Sequence, residues 1–120
     1  MDYGRRRERE GRKRLDGTWV HAYRSGTKRC AGAYEDGLET GQWTYWYENG
    51  LLAAQGRYIE GYEHGIWVYR YDNKALRARG AYAHGLRDGL WKYYHEDGTV
   101  ERWDVWEMGK PIRRLCVVLG

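Results

Sequence analysis

Apolar and polar positions along this chain alternate in short runs that end in turn signals. The clearest run is Trp43-Thr-Tyr-Trp-Tyr47, followed by Glu48-Asn49-Gly50 and then by Leu51-Leu-Ala-Ala-Gln-Gly-Arg-Tyr58. Alternation with a period of two, rich in aromatic residues and bounded by turn residues, predicts a β-strand. Asn-Gly favours a two-residue type I′ turn, whose two central residues both need positive φ. With Asn49-Gly50 as the loop, Tyr47 faces Leu52, Tyr45 faces Ala54 and Trp43 faces Gly56. At Ala54 and Gly56 a large ring then meets a small residue, which supplies the contact that glycine lacks. Alternation sets Trp43, Tyr45, Tyr47, Leu52, Ala54, Gly56 and Tyr58 on one face. Gln42, Thr44, Trp46, Glu48, Leu51, Ala53, Gln55 and Arg57 fall on the other.

The run recurs in one frame four times. Gly17, Gly41, Gly65 and Gly89 are 24 residues apart, and Trp19, Trp43, Trp67 and Trp91 follow two residues after each. Next come Tyr23, Tyr47, Tyr71 and His95, then the turn pairs Ser25-Gly26, Asn49-Gly50, Asn73-Lys74 and Asp97-Gly98. Gly32, Gly56, Gly80 and Asp104 share a position, as do Tyr34, Tyr58, Tyr82 and Trp106, and Gly37, Gly61, Gly85 and Gly109. A period of this kind means stacked units, each too small to bury its apolar face alone. The expected fold is all-β, a single-layer antiparallel β-meander of about four stacked hairpin repeats plus a C-terminal capping strand. The hairpins are predicted at about 17–36, 41–60, 65–84 and 89–108 within a repeat domain at 15–109. Segments such as Gly61-Tyr-Glu-His-Gly65 are expected as connections between them. Lys74 stands where a type I′ turn wants glycine, so the third hairpin is expected to be weaker or to turn differently. Asp104 stands where a glycine faces tryptophan, so the fourth copy is expected to differ in register or packing.

The pattern G-x-W-x-x-x-Y-x-x-N-G-x-L-x-x-x-G-x-Y-x-x-G, carried over residues 17–109, resembles the MORN repeat, specifically its bacterial variant. The resemblance implies a twisted, curved single-layer meander that is not catalytic and acts as an interaction module. In some arrays the aromatic groove holds a partner segment, and for others membrane-lipid binding has been proposed. Bacterial proteins of this size with variant repeats are often labelled antitoxins of toxin–antitoxin or toxin–immunity pairs, which by analogy makes a cognate toxin a candidate partner. On this reading the partner-binding residues are Trp19, Tyr23, Trp43, Tyr45, Trp46, Tyr47, Trp67, Tyr69, Tyr71, Trp91 and Tyr93. Most of these rings are expected to stack on one another as a spine, with their outer edges left to bind. Trp46 points away from the spine and has Ala22, Arg70 and Tyr94 at its place in the other copies, so the fold explains it least.

Composition agrees with a thin sheet. Within 120 residues there are 7 Trp, 12 Tyr and 17 Gly but no Phe, a choice of rings with polar tips that suits surfaces wet on one side. The net charge of +4 resides in residues 1–14, which hold 7 Lys+Arg and 3 Asp+Glu, leaving 14 of each in the rest. This arm reads as a solvated tail, or as a contact to phosphates or an acidic partner. With Arg77, Arg79 and Arg87 it makes nucleic acid or an anionic membrane a second class of partner. The segment 110–120 lies outside the repeat. Its apolar run either caps the last hairpin or pairs with a second chain as a homodimer. Cys30 and Cys116 suit neither a disulfide framework nor a metal site, and no signal peptide or membrane span is visible, so a cytoplasmic protein is expected. His64 and His84 are assigned to loops between hairpins, and His21 and His95 replace strand aromatics. None has metal-ligand spacing, and Glu48, Asp72 and Glu96 repeat as turn flanks. Neither catalysis nor a cofactor is expected. Carbohydrate binding fits poorly, because aromatic-glycine repeats of that kind are shorter and exported. A purely structural scaffold is the plainest alternative to an interaction module.

Overall fold

The computed structural model describes residues 15–115. The basic arm at 1–14 and the end of the apolar tail, with Cys116, lie outside the described residues. The nine strands are β1 (Gly17–Ala22), β2 (Lys28–Glu35), β3 (Leu38–Trp46), β4 (Leu52–Ile59), β5 (Tyr62–Arg70), β6 (Leu76–Ala83), β7 (Leu86–Tyr94), β8 (Val100–Glu107) and β9 (Lys110–Leu115). They form one antiparallel sheet in chain order, the expected meander, with β9 paired along β8.

The two kinds of turn are exchanged relative to the sequence reading. Two-residue turns with positive φ at both positions join one hairpin to the next: Asp36-Gly37, Glu60-Gly61, His84-Gly85 and Met108-Gly109. The strands therefore run into the segments expected as connections, and His64 lies in β5 rather than in a loop. The Asn-Gly pair belongs to a three-residue loop instead. Gly50 N–H donates to the Tyr47 carbonyl (2.9 Å), and Tyr47 N–H donates to Leu51 (2.8 Å). Only Gly50 of that loop takes positive φ, at 90°. This is the pattern of a type I turn closed by a left-handed residue. Lys74 adopts the same conformation at φ 77°, so the third hairpin keeps this turn and holds a lysine in a region that disfavours side chains. The Asn73 side chain accepts from Ala75 N–H as Asn49 does from Leu51, which fixes both loops locally.

The three-residue loop shifts the pairing by one, and an extra residue in β4 shifts it back. Trp46 consequently pairs with Leu52, while Tyr45 still pairs with Ala54 and Trp43 with Gly56. The predicted Trp–Gly register holds through two compensating departures. Leu52 moves to the face of Trp46, away from the spine where it was expected.

Between hairpins the register slips by two at each Gly-x-Trp. Ala31 pairs with Thr44 but Ala33 pairs with Thr40, and β4–β5 and β6–β7 repeat the slip. The slip decides which glycine each indole covers. Trp43 lies over Gly32, Trp67 over Gly56 and Trp91 over Gly80; a Cβ at any of these glycines would fall within 2.2 Å of the ring above it. The indole thus covers the glycine of the preceding hairpin, not its own cross-strand partner. Each Nε1–H donates to a carbonyl beside the slip: Trp43 to Ala33 (3.1 Å), Trp67 to Arg57 (3.0 Å) and Trp91 to Ala81 (2.9 Å). One side chain therefore fills the space over the glycine and satisfies a polar group that the ladder leaves unpaired.

Asp104 follows from the same rule. Leu115 stands a repeat beyond Trp91, so no indole arrives to cover position 104 and a side chain fits there. The fourth-copy register is unchanged, with Trp91 opposite Asp104; only the packing differs. Asp104 is buried and holds Arg102 (3.2 Å) and Arg114 (3.4 Å), which offset its desolvation.

Candidate functional site

Strand alternation gives the sheet two unlike faces. The first carries an unbroken ladder of rings in the order Trp19, His21, Trp43, Tyr45, Trp67, Tyr69, Trp91, Tyr93. Successive centroids are 6.1–6.5 Å apart and the planes stacked or tilted. Tyr34, Tyr58 and Tyr82 meet the indoles edge-on, at 5.1 Å for Tyr34 on Trp43. Both arrangements suit the ring quadrupole. The result is a core without a second layer: Trp43 and Trp91 are 0 % exposed and Trp67 2 %.

Hydroxyl groups tie the ladder together. Tyr45 bonds Tyr58 (2.7 Å), Tyr69 bonds Tyr82 (2.8 Å), and His21 Nε2 meets the Tyr34 hydroxyl (3.0 Å). Burial first, then the neighbouring phenol, pushes the Tyr45 and Tyr69 hydroxyls far above the usual tyrosine range. Burial alone lowers His21. In the fourth copy Trp106 replaces the partner phenol, and Arg87 takes over. Its Nη1 donates to Tyr93 (2.9 Å), and its guanidinium lies 4.6 Å from the Trp91 ring centre and 5.1 Å from that of Trp106. Tyr23, Tyr47 and Tyr71 each donate to a carbonyl of the next hairpin, those of Trp46, Arg70 and Tyr94.

The residues expected to bind a partner therefore divide into groups. Trp43, Trp67 and Trp91 are enclosed by their neighbours and present almost no surface. Tyr45, Tyr69 and Tyr93 are half-buried, Tyr23, Tyr47 and Tyr71 are half-buried hydrogen-bond donors, and Trp19 is 39 % exposed at the open end. Trp46 lies on the second face, half-buried, with the Lys28 ammonium 5.1 Å from its ring centre. Beside it Leu51, Leu52, Arg70 and Lys74 border a shallow depression of about 390 Å³. The cations grouped by sequence are split: Arg77 covers the Tyr69 ring and Arg87 the ladder's end, while Arg79 is on the opposite face.

That second face carries no ring ladder. The register draws a row across it through Val20, Ala31, Thr44, Gln55, Val68, Arg79, Lys92, Trp103 and Leu115. Ile66 and Leu90 flank the row and remain 49 % and 42 % exposed. Ile66, Leu90 and Trp103 were not singled out from the sequence. The available signal was that Ile66 and Leu90 occupy the place of Thr18 and Gln42 in the first two copies.

Among the described residues no three His, Cys, Asp or Glu side chains converge on a metal-binding arrangement, and no helix is long and apolar enough to cross a membrane. Cys30 is a free, buried thiol, raised by that burial.

Fold and faces together define a class, the single-layer β-repeat proteins, in which stacked hairpins make a self-packed aromatic face and leave the other open. The family model for the MORN repeat variant matches residues 39–60 and 87–102, the β3–β4 hairpin and the β7 strand with the start of β8. Over those residues the chain carries the MORN repeat variant. Such repeats form a non-catalytic module and generally mediate protein or membrane-lipid interactions. A comparison with curated proteins gives no match.

Proposed function

We propose that the protein is a non-catalytic module that binds a protein partner, acting in the cytoplasm as an antitoxin or immunity-type protein that masks that partner. The supporting observation is the asymmetry of the two faces. One satisfies itself with stacked rings, whereas the other keeps Ile66 and Leu90 about half exposed, with no second layer over them among the described residues. Apolar side chains grouped on an open sheet face are a feature of interaction surfaces.

Tagged protein purified under native expression should bring down one stoichiometric partner, identified by mass spectrometry. Recovery of the protein alone would refute the module reading. The masking function is tested separately: a neighbouring reading frame expressed alone should arrest growth, and co-expression of this chain should restore it. A bound partner with no growth effect would keep the module and remove the antitoxin role. Salt-sensitive binding to DNA or anionic vesicles that disappears on deleting residues 1–14 would favour the charged-surface reading instead.

A further inference from the structure

We infer that the face opposite the ring ladder, between β5 and β8, docks an acidic amphipathic segment of the partner. The inference rests on the interaction-module reading above and specifies the chemistry that the module takes.

Arg79 and Lys92 are direct cross-strand partners between β6 and β7. Like charges placed opposite one another destabilise a sheet. Among the described residues neither has a carboxylate within ion-pair distance, unlike Arg102 and Arg114, which pair with Asp104. The same inter-hairpin place is uncharged elsewhere, as Ala31 opposite Thr44 and Gln55 opposite Val68. The repeat fold therefore does not need cations here. An anion on this face would remove their repulsion.

Apolar character rises at the same junction. Val68 precedes Arg79 in the row and Trp103 follows Lys92, whose ammonium lies 4.6 Å from the indole centre. Ile66 and Leu90 flank them, Leu90 paired with Val105, where the first two copies have Thr18 and Gln42. A cationic pair in an apolar frame is complementary to a segment that alternates carboxylates with apolar side chains. Val68 and Trp103 are three strand spacings apart, about 15 Å, which about ten residues of helix would span.

The probes are two 18-residue amphipathic peptides with the same Leu and Ile positions, one with Glu and one with Lys on the polar stripe, and vesicles containing phosphatidylglycerol. Binding is followed by fluorescence anisotropy and mapped by amide chemical shifts on the full chain. The Glu peptide should bind, weaken as salt rises, and shift Ile66, Val68, Leu90, Lys92 and Trp103; the Lys peptide should not bind. Arg79→Glu should weaken the Glu peptide at least tenfold while raising the urea midpoint, because it turns a like-charged pair into an opposite one. A merely structural role for Arg79 would not make binding and stability move in opposite directions. The inference is overturned if shifts map to Tyr45, Tyr69 and Tyr93, if R79E leaves affinity unchanged, or if the vesicles bind and the peptide does not. If R79E still retains the co-purified natural partner, the face is wrong and the module reading stands. If no partner is found, that reading fails by itself.

Discussion

Gly56→Ala isolates the contact on which the repeat depends. Gly56 does not have positive φ, so alanine faces no backbone penalty there and any cost is steric. The new methyl would sit 2.1–2.4 Å from three atoms of the Trp67 ring, against an ordinary contact of about 3.5 Å. The indole must retreat by more than about 1 Å. It has little room, because Tyr45, Tyr58, Tyr69 and Tyr82 surround it at 5.1–6.2 Å and it is 2 % exposed. Overpacking of a tight core costs about 1–3 kcal/mol. Complete expulsion of a buried aromatic ring is bounded by about 5 kcal/mol. We expect a loss near 3 kcal/mol, a substantial part of the roughly 5–15 kcal/mol that holds a small domain together. Urea unfolding followed by far-ultraviolet circular dichroism measures it in the wild type, G56A, Trp67→Leu and the double variant. In the Trp67→Leu background, where the shorter side chain leaves room, the alanine should cost less than about 1 kcal/mol, giving a coupling of at least ~2 kcal/mol. Equal cost in both backgrounds would refute the ring-over-glycine account.

Four further outcomes follow from individual residues. Lys74→Gly relieves a left-handed lysine and should stabilise the protein by up to about 1 kcal/mol, read as a higher urea midpoint. Tyr82→Phe leaves the buried Tyr69 hydroxyl without its phenol partner and should cost about 1–2 kcal/mol, with Y69F/Y82F costing less than the two singles added. Because folding raises the Tyr69 pKa from 10.0, its contribution is complete below pH 10 and is lost as pH climbs past it; Y69F should lessen the alkaline loss. His21 is shifted the other way: folding lowers it from 6.5, so the unfolded chain takes the proton first and stability falls as pH drops through 6.5. His21→Tyr, the residue of the other three copies, should flatten the midpoint between pH 5 and 7.

Much of this architecture was legible before any coordinates. Recurrence of Trp, Tyr and Gly at one spacing demanded stacked hairpins, because a single hairpin cannot bury its rings, and the alternation divided each strand into two faces. The Trp43–Gly56 pairing could be read from the sequence because it is local, set by a turn a few residues away. Turn type was less legible. Asn49-Gly50 and Lys74 suit more than one loop, and the hydrogen bonds of Tyr47 and Tyr71 chose the three-residue form.

What only the tertiary structure decided lies between hairpins. No local turn specifies that the register slips by two at Gly-x-Trp; the slip is set where Trp67 finds Gly56 and the Arg57 carbonyl in the neighbouring hairpin. That slip buries the indoles expected to bind a partner and brings Arg79 opposite Lys92. Alternation within a strand assigns a residue to a face, but its neighbour across a non-local strand pair depends on packing.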